Sequence, residues 1–156
     1  MTRIAWLAVG CALFAAEPPV QPIPYSHKQH VAMGLKCAGC HEMADPGEMM
    51  GIPAVAKCMT CHQSVKKDSP AIQKLAAFAD RKEPVPWVRV YQIPGYVLFS
   101  HKEHLATGAT CETCHGRVPE RERLFRETDI SMGGCMNCHR ANRASLDCAF
   151  CHEQQN

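Results

Sequence analysis

The chain has 156 residues, enough for one domain, and 46% of them are apolar, but eleven Cys and eight Met supply much of that share while aromatics make up only 6%. A core of protein side chains alone would be thin, and small chains without one are held by disulfides, metals or cofactors. The formal charge of +2 lacks the strong basic excess of a nucleic-acid binder, so no nucleic acid is expected among the partners.

Met1 to Ala16 has one basic residue, Arg3, and then an apolar run from Ile4 to Ala16. The run is too short to span a bilayer comfortably and reads as an export signal. Ala8-Val9-Gly10-Cys11 resembles a bacterial lipoprotein cleavage box with Cys11 as the lipidated residue. Cleavage after Ala16 and an uncleaved anchor are the other readings, although Phe14 stands where signal peptidase wants a small side chain. Glu17 to Pro24 is proline-rich and reads as a stiff tether at 17–24.

The other ten cysteines form five C-x-x-C-H motifs: Cys37-Ala-Gly-Cys40-His41, Cys58-Met-Thr-Cys61-His62, Cys111-Glu-Thr-Cys114-His115, Cys135-Met-Asn-Cys138-His139 and Cys148-Ala-Phe-Cys151-His152. This is the attachment signature of haem c. Two thiols add to the vinyl groups of one porphyrin edge, and the adjacent His is placed under the iron as proximal ligand. Zinc ribbons and thioredoxin-like sites share C-x-x-C, but neither needs a His directly after the second Cys in all five copies. Five haem c groups are therefore expected. Their ten propionates would take the formal charge from +2 to about −8. Attachment of haem c and the cysteine usage both suit an exported, periplasmic protein.

The segment from Tyr25 to His41 aligns without gaps on Phe99 to His115, with nine of seventeen positions identical. Each copy is followed by a second motif, at Cys58 and Cys135, and the fifth motif, at Cys148, is additional. Four His lie outside the motifs: His27, His30, His101 and His104 form two H-x-x-H elements, one in each copy. Their matched placement ahead of attachment motifs favours sixth-position iron ligands over core or surface roles.

Between the halves, Ser69-Pro70 reads as an N-cap with Pro at the first helical position, and Ile72, Leu75, Ala76 and Ala79 share one helical face, expected to cover a haem edge. This helix should end before Pro84 and Pro86. Trp87 to Phe99 reads as extended and β-rich, and the charge-rich stretch from Glu120 to Glu127 as a solvated helix face. The organisation expected is 1–16 signal, 17–24 tether, 25–62 first two-haem module, 63–98 helical and extended linker, and 99–152 second two-haem module plus fifth haem.

The aromatic-x-H-x-x-H element ahead of each copy's first motif resembles the class III multihaem cytochromes. That likeness implies that the first His serves the motif just after it and the second His the next one: His27 with His41, His30 with His62, His101 with His115, and His104 with His139. A second resemblance covers roughly 87–152. Pro86-Trp87-Val88-Arg89-Val90-Tyr91, Pro94-Gly95-Tyr96-Val97-Leu98-Phe99-Ser100-His101 and Met132-Gly133-Gly134-Cys135-Met136-Asn137-Cys138-His139-Arg140 look like the pentahaem region of alternative complex III, a bacterial quinol-oxidising membrane assembly. Its members often carry a bulkier residue where Gly134 stands. These likenesses imply a multihaem cytochrome c, loop-rich, mostly short α-helices with little β, the haems forming the core.

No His remains for the sixth position of the haem on His152, and a Met thioether is the natural substitute. Met132 is the best placed; Met49 and Met50 are weaker candidates, and Met59 and Met136 lie inside attachment motifs. Bis-His ligation keeps a haem at low potential and Met raises it, so the fifth haem would be an electron sink. The function expected is electron transfer, with no catalytic residues, between a quinol-oxidising membrane complex and a periplasmic acceptor, and a membrane link through Cys11. The alternatives are a reductase with an open position at the fifth haem and a subunit of an extracellular conduit.

Overall fold

The computed structural model describes residues 17–152; the expected export signal and Cys11 lie outside them. Among the described residues seven short helices are joined by coil: α1 (His27–Ala32), α2 (Val55–His62), α3 (Pro70–Asp80), α4 (His101–Ala106), α5 (Cys111–His115), α6 (Met132–Ala141) and α7 (Cys148–Cys151), with 3-10 turns at Cys37–Gly39 and Val118–Glu120. Among the described residues there is no strand, only two isolated bridges, Met43 with Met50 and Val97 with His152. The fold is loop-rich, mostly short helix with little β, as the sequence implies. No helix among these residues is long and apolar enough to cross a membrane.

Most helices begin where a short polar side chain can take up an orphan amide. Ser26 Oγ accepts from Gln29 N at 3.0 Å, Ser69 Oγ from Ile72 N at 3.3 Å, Ser100 Oγ from Glu103 N at 3.3 Å, Ser131 Oγ from Gly134 N at 3.3 Å, and Asp147 Oδ1 from Ala149 N at 3.0 Å. Thr110 and Thr113 form a capping box at α5. The third, fourth and fifth motifs thus ride on capped helices, while the second lies on α2 and the first on a 3-10 turn. Position 134 in α6 has room only for glycine, because a Cβ there would collide with the Asp129 carbonyl. That accounts for the departure from the bulkier residue seen in the resembling family.

Among the described residues four apolar side chains are buried, Ile23, Val55, Leu75 and Val85, with Cys58, Met59, Ile72, Phe78, Ala79 and Trp87 packed around them. The apolar face of α3 therefore lies against α2, the helix that carries the second motif, and Cys58 belongs to the same cluster. The helix starts at Pro70 and ends at Asp80, inside the limits read from the sequence.

Two expectations are corrected. Trp87 to Phe99 is not β-rich: only Val97 pairs, in its bridge to His152, and Leu98 N donates to the Cys151 carbonyl at 2.8 Å. Pro86 and Pro94 bring no amide to a ladder, and no neighbouring strand is present among the described residues. Glu120 to Glu127 is not a helix face either. After the turn at Val118–Glu120 the chain is coil, and the Tyr91 hydroxyl accepts the Glu127 amide at 3.0 Å while donating to the His115 carbonyl at 3.0 Å.

Arg121 grips Glu127 in a two-pronged ion pair, 2.5 and 2.8 Å, with side chains 21% and 14% exposed. Hydrogen bonding from Arg121 pulls the Glu127 carboxyl down to about 2. A folded-state value below that of the unfolded chain gives stability that is full above the ordinary carboxylate value of about 4.3 and lost as pH falls through the folded value. The stability gap between the parent and Glu127→Gln, measured by denaturant titration, should therefore be widest above pH ~4.5 and close toward pH ~2. A gap constant across that window would contradict the pairing.

The two copies of the repeat face each other. Lys28 N donates to the Arg121 carbonyl at 3.1 Å, and Lys102 N to the Gly47 carbonyl at 3.0 Å. The shift of 74 residues that lays Tyr25 on Phe99 also lays Lys28 on Lys102 and Gly47 on Arg121, so the two bonds are reciprocal. The start of each H-x-x-H helix docks on the loop that leaves the other copy's attachment motif. This close approach requires glycine at 47, where φ is 96° and a Cβ would sit 2.6 Å from Lys102 Cβ. The reciprocity breaks at one pair: His101 Nδ1 donates to the Glu48 carbonyl at 2.8 Å, whereas its counterpart His27 Nδ1 is buried without a partner.

Candidate haem-binding sites

The four His outside the motifs stand opposite four of the five motif His. Ring centroids are 6.3 Å apart for His27 and His41, 6.2 Å for His30 and His62, 6.4 Å for His101 and His115, and 6.1 Å for His104 and His139. The first and third pairs are nearly coplanar, at 8° and 5°, and the other two are twisted, at 63° and 40°. Two metal–imidazole bonds of about 2 Å, with each ring centre about 1.1 Å behind its nitrogen, put centroids about 6.3 Å apart across one metal ion. All four pairs have the spacing of two imidazoles sharing an iron.

Backbone carbonyls set the rings. Nδ1 lies 2.8 Å from the Ser26 carbonyl in His30, 2.8 Å from that of Gly51 in His41, 3.0 Å from that of Val65 in His62, 2.8 Å from that of Ser100 in His104, and 2.7 Å from that of Ser145 in His139. A carbonyl only accepts, so in these rings and in His101 the proton sits on Nδ1 and the Nε2 lone pair is left for a metal. Burial, with His41 next, pushes His27 down to about 4, and burial followed by His101 lowers His115, which keeps both rings neutral at neutral pH.

The aromatic that opens each copy braces both of its H-x-x-H rings. Tyr25 stacks on His30 at 4.5 Å and meets His27 edge-on at 4.8 Å; Phe99 does the same to His104 at 4.6 Å and His101 at 4.8 Å. Burial raises the Tyr25 hydroxyl to about 12, with Cys40 and Cys58 adding to it, so it stays neutral.

The fifth motif sits on α7, and His152 is half-buried and bridged to Val97. The Tyr96 ring lies 6.0 Å from His152 at 29°. Met132 is the first residue of α6, one turn ahead of Cys135, with its side chain 64% exposed. Burial pushes the Cys135 thiol up, and Cys151 adds to it. Of the other methionines, Met49 is exposed, Met50 bridges Met43, Met59 joins the apolar cluster, and Met136 lies within α6. Sequence reasoning did not find Tyr91, Tyr96 or the accepting carbonyls; a carbonyl leaves no trace in residue type, although the tyrosines lie in the stretch quoted for its family likeness.

Among the described residues no three His, Cys, Asp or Glu side chains converge on one point as a closed zinc site requires. The donors come instead as a Cys pair beside a His, with a second imidazole opposite in four of the five sites. That set fits covalently attached haem, and with the short-helix fold it defines a multihaem c-type cytochrome.

The comparisons with known proteins agree. Residues 97–154 match the family of cytochrome c7 and related cytochrome c, and residues 29–90 match cytochrome c3. The chain is 28% identical to the menaquinone reductase multiheme cytochrome c subunit of Nitratidesulfovibrio vulgaris, over 95% of this chain and 83% of that protein. This chain is a multihaem cytochrome c carrying covalent haem, a class of electron carriers.

Proposed function

We propose that this protein carries five haem c groups and passes electrons between a quinone-linked membrane complex and an extracytoplasmic redox partner. The observation that carries this reading is the set of four His pairs at 6.1–6.4 Å. Bound haem supplies reversible one-electron chemistry at its iron. The chain's own residues do the rest. The ten motif cysteines would fix the five haems, and the five motif His would each hold an iron. His27, His30, His101 and His104 would supply the second donor to four of them, and Met132 to the fifth. With two protein donors at every iron the haems would carry electrons and leave no open position for a substrate. Residues 25–62 and 99–152 form the two haem-bearing units, and 63–98 joins them.

The quinone link draws on the relative named as a menaquinone reductase subunit and on the likeness to the pentahaem region of a quinol-oxidising complex. The apolar run ahead of residue 17 supports export to the periplasm, with Cys11 as a lipid anchor.

A pyridine haemochrome assay against protein concentration, with the intact mass, should give five haems per chain, and the oxidised protein should be low-spin throughout and inert to carbon monoxide. Fewer than five haems would break the attachment reading. A high-spin haem that binds carbon monoxide in the unaltered protein would replace the carrier with a reductase.

A further inference from the structure

We propose that the chain holds its attachment sites in the spatial order second, first, third, fourth, fifth, so that electrons enter and leave at the second and fifth. This rests on the five-haem reading above and adds to it the path and its two ends. Chain order alone would join the second site to the third.

Neighbours within each copy follow from the H-x-x-H element. His27 and His30 are one turn apart on α1 and share Tyr25, which puts the first and second sites side by side. An exposed ion pair of Lys57 with Glu42, at 3.9 Å, joins the same two motifs. His101 and His104 on α4 share Phe99 and do the same for the third and fourth sites. The fourth and fifth sites are tied by the short loop after His139, which its Nδ1 bond to the Ser145 carbonyl holds, and by the bond from Leu98 N to the Cys151 carbonyl at 2.8 Å, next to the Phe99 ring that stacks on His104.

The remaining question is which members of the two couples meet. The reciprocal bonds of Lys28 to Arg121 and Lys102 to Gly47 press the starts of α1 and α4 against the loops leaving the third and first motifs. Those helix starts carry His27 and His101, the partners of His41 and His115. Gln29 reaches across to Glu122 at 3.2 Å, and His101 to the Glu48 carbonyl at 2.8 Å, within the same contact.

The second site lies away from this contact. It is on α2, which packs on α3, whereas the contact between the copies joins α1 to the turn at Val118–Glu120. First and third sites therefore form the middle of the row, and the second is a terminus. Passage along the row is a series of one-electron exchanges between neighbouring irons, with no bond made or broken.

The test counts neighbours. Methionine in place of an axial His raises the potential of that haem, and any haem close enough to feel its charge then titrates against a changed background. In the holoprotein, individual midpoint potentials can be followed through the resonances of the haem methyl groups during a redox titration. His30→Met, at a terminus, should shift its own haem and one other. His27→Met, at an inner site, should shift its own haem and two others. If either variant fails to mature, His62→Met and His41→Met perturb the same two haems from the opposite side.

The reverse count, two for the second site and one for the first, overturns the order and leaves the five-haem reading standing. A variant whose potentials all stay in place overturns the axial assignment, and the order with it.

Discussion

Met132→Ala is expected to turn one haem in five high-spin and open it to carbon monoxide, leaving the other four low-spin and closed. The expectation comes from a shortage of donors. Nine His serve the five sites, eight of them as opposed pairs, and His152 has no imidazole across from it. Met132 stands at the start of α6, one turn before Cys135. Side chains three apart on a helix share a face, and Met132 is the donor proposed for the sixth position of the fifth haem. A thioether there makes this the highest-potential haem of the set.

Met132→His sharpens the test, because it should keep all five haems low-spin while drawing the fifth potential toward the other four. Electron paramagnetic resonance and the carbon monoxide difference spectrum read the outcome. If Met132→Ala stays fully low-spin and inert, the sixth group is another one, and Tyr96, 6.0 Å from His152, becomes the residue to replace.

The chain made without haem attachment is expected not to fold at all. Only Ile23, Val55, Leu75 and Val85 are buried among the described residues. The longest helix there, α3, has eleven residues, and isolated helices shorter than about 12–15 residues are marginal in water. Such helices need an apolar surface to lie on, and here the porphyrins supply it, as metal supplies the folding energy of small metal-dependent domains. The unattached chain should show a coil-like far-ultraviolet spectrum, no cooperative melt and rapid proteolysis. A helical chain that melts cooperatively without haem would refute the idea that cofactors form the core.

Much of the site could be read from residue types, because covalent haem attachment demands particular ones at fixed spacing. Cys37 through His41 and its four fellows declare their chemistry locally, and so do the two H-x-x-H elements. The start of α3 at Ser69-Pro70 was legible for the same reason.

Features that depend on distant parts of the chain were not. The stretch from Trp87 to Phe99 has strand-like composition, but its partner is a single residue, His152, and not a strand. The stretch from Glu120 to Glu127 has helix-like charge spacing, but the Tyr91 hydroxyl claims an amide that a helix would need and Arg121 is turned onto Glu127. The docking of the two copies is carried by the backbone groups of Lys28, Arg121, Lys102 and Gly47. The repeat made two similar halves predictable, but nothing in the residue types said that they would face each other.

That reciprocal contact has a consequence for mass action. A surface that binds its own equivalent is how two-fold dimers assemble, and a dimer dissociates when diluted. Here both halves belong to one chain, so each meets the other at an effective concentration set by the connecting segment and not by the amount of protein present. The contact between the first and third sites is therefore first-order in protein. It should persist on dilution, where a pair of separate two-haem chains would drift apart.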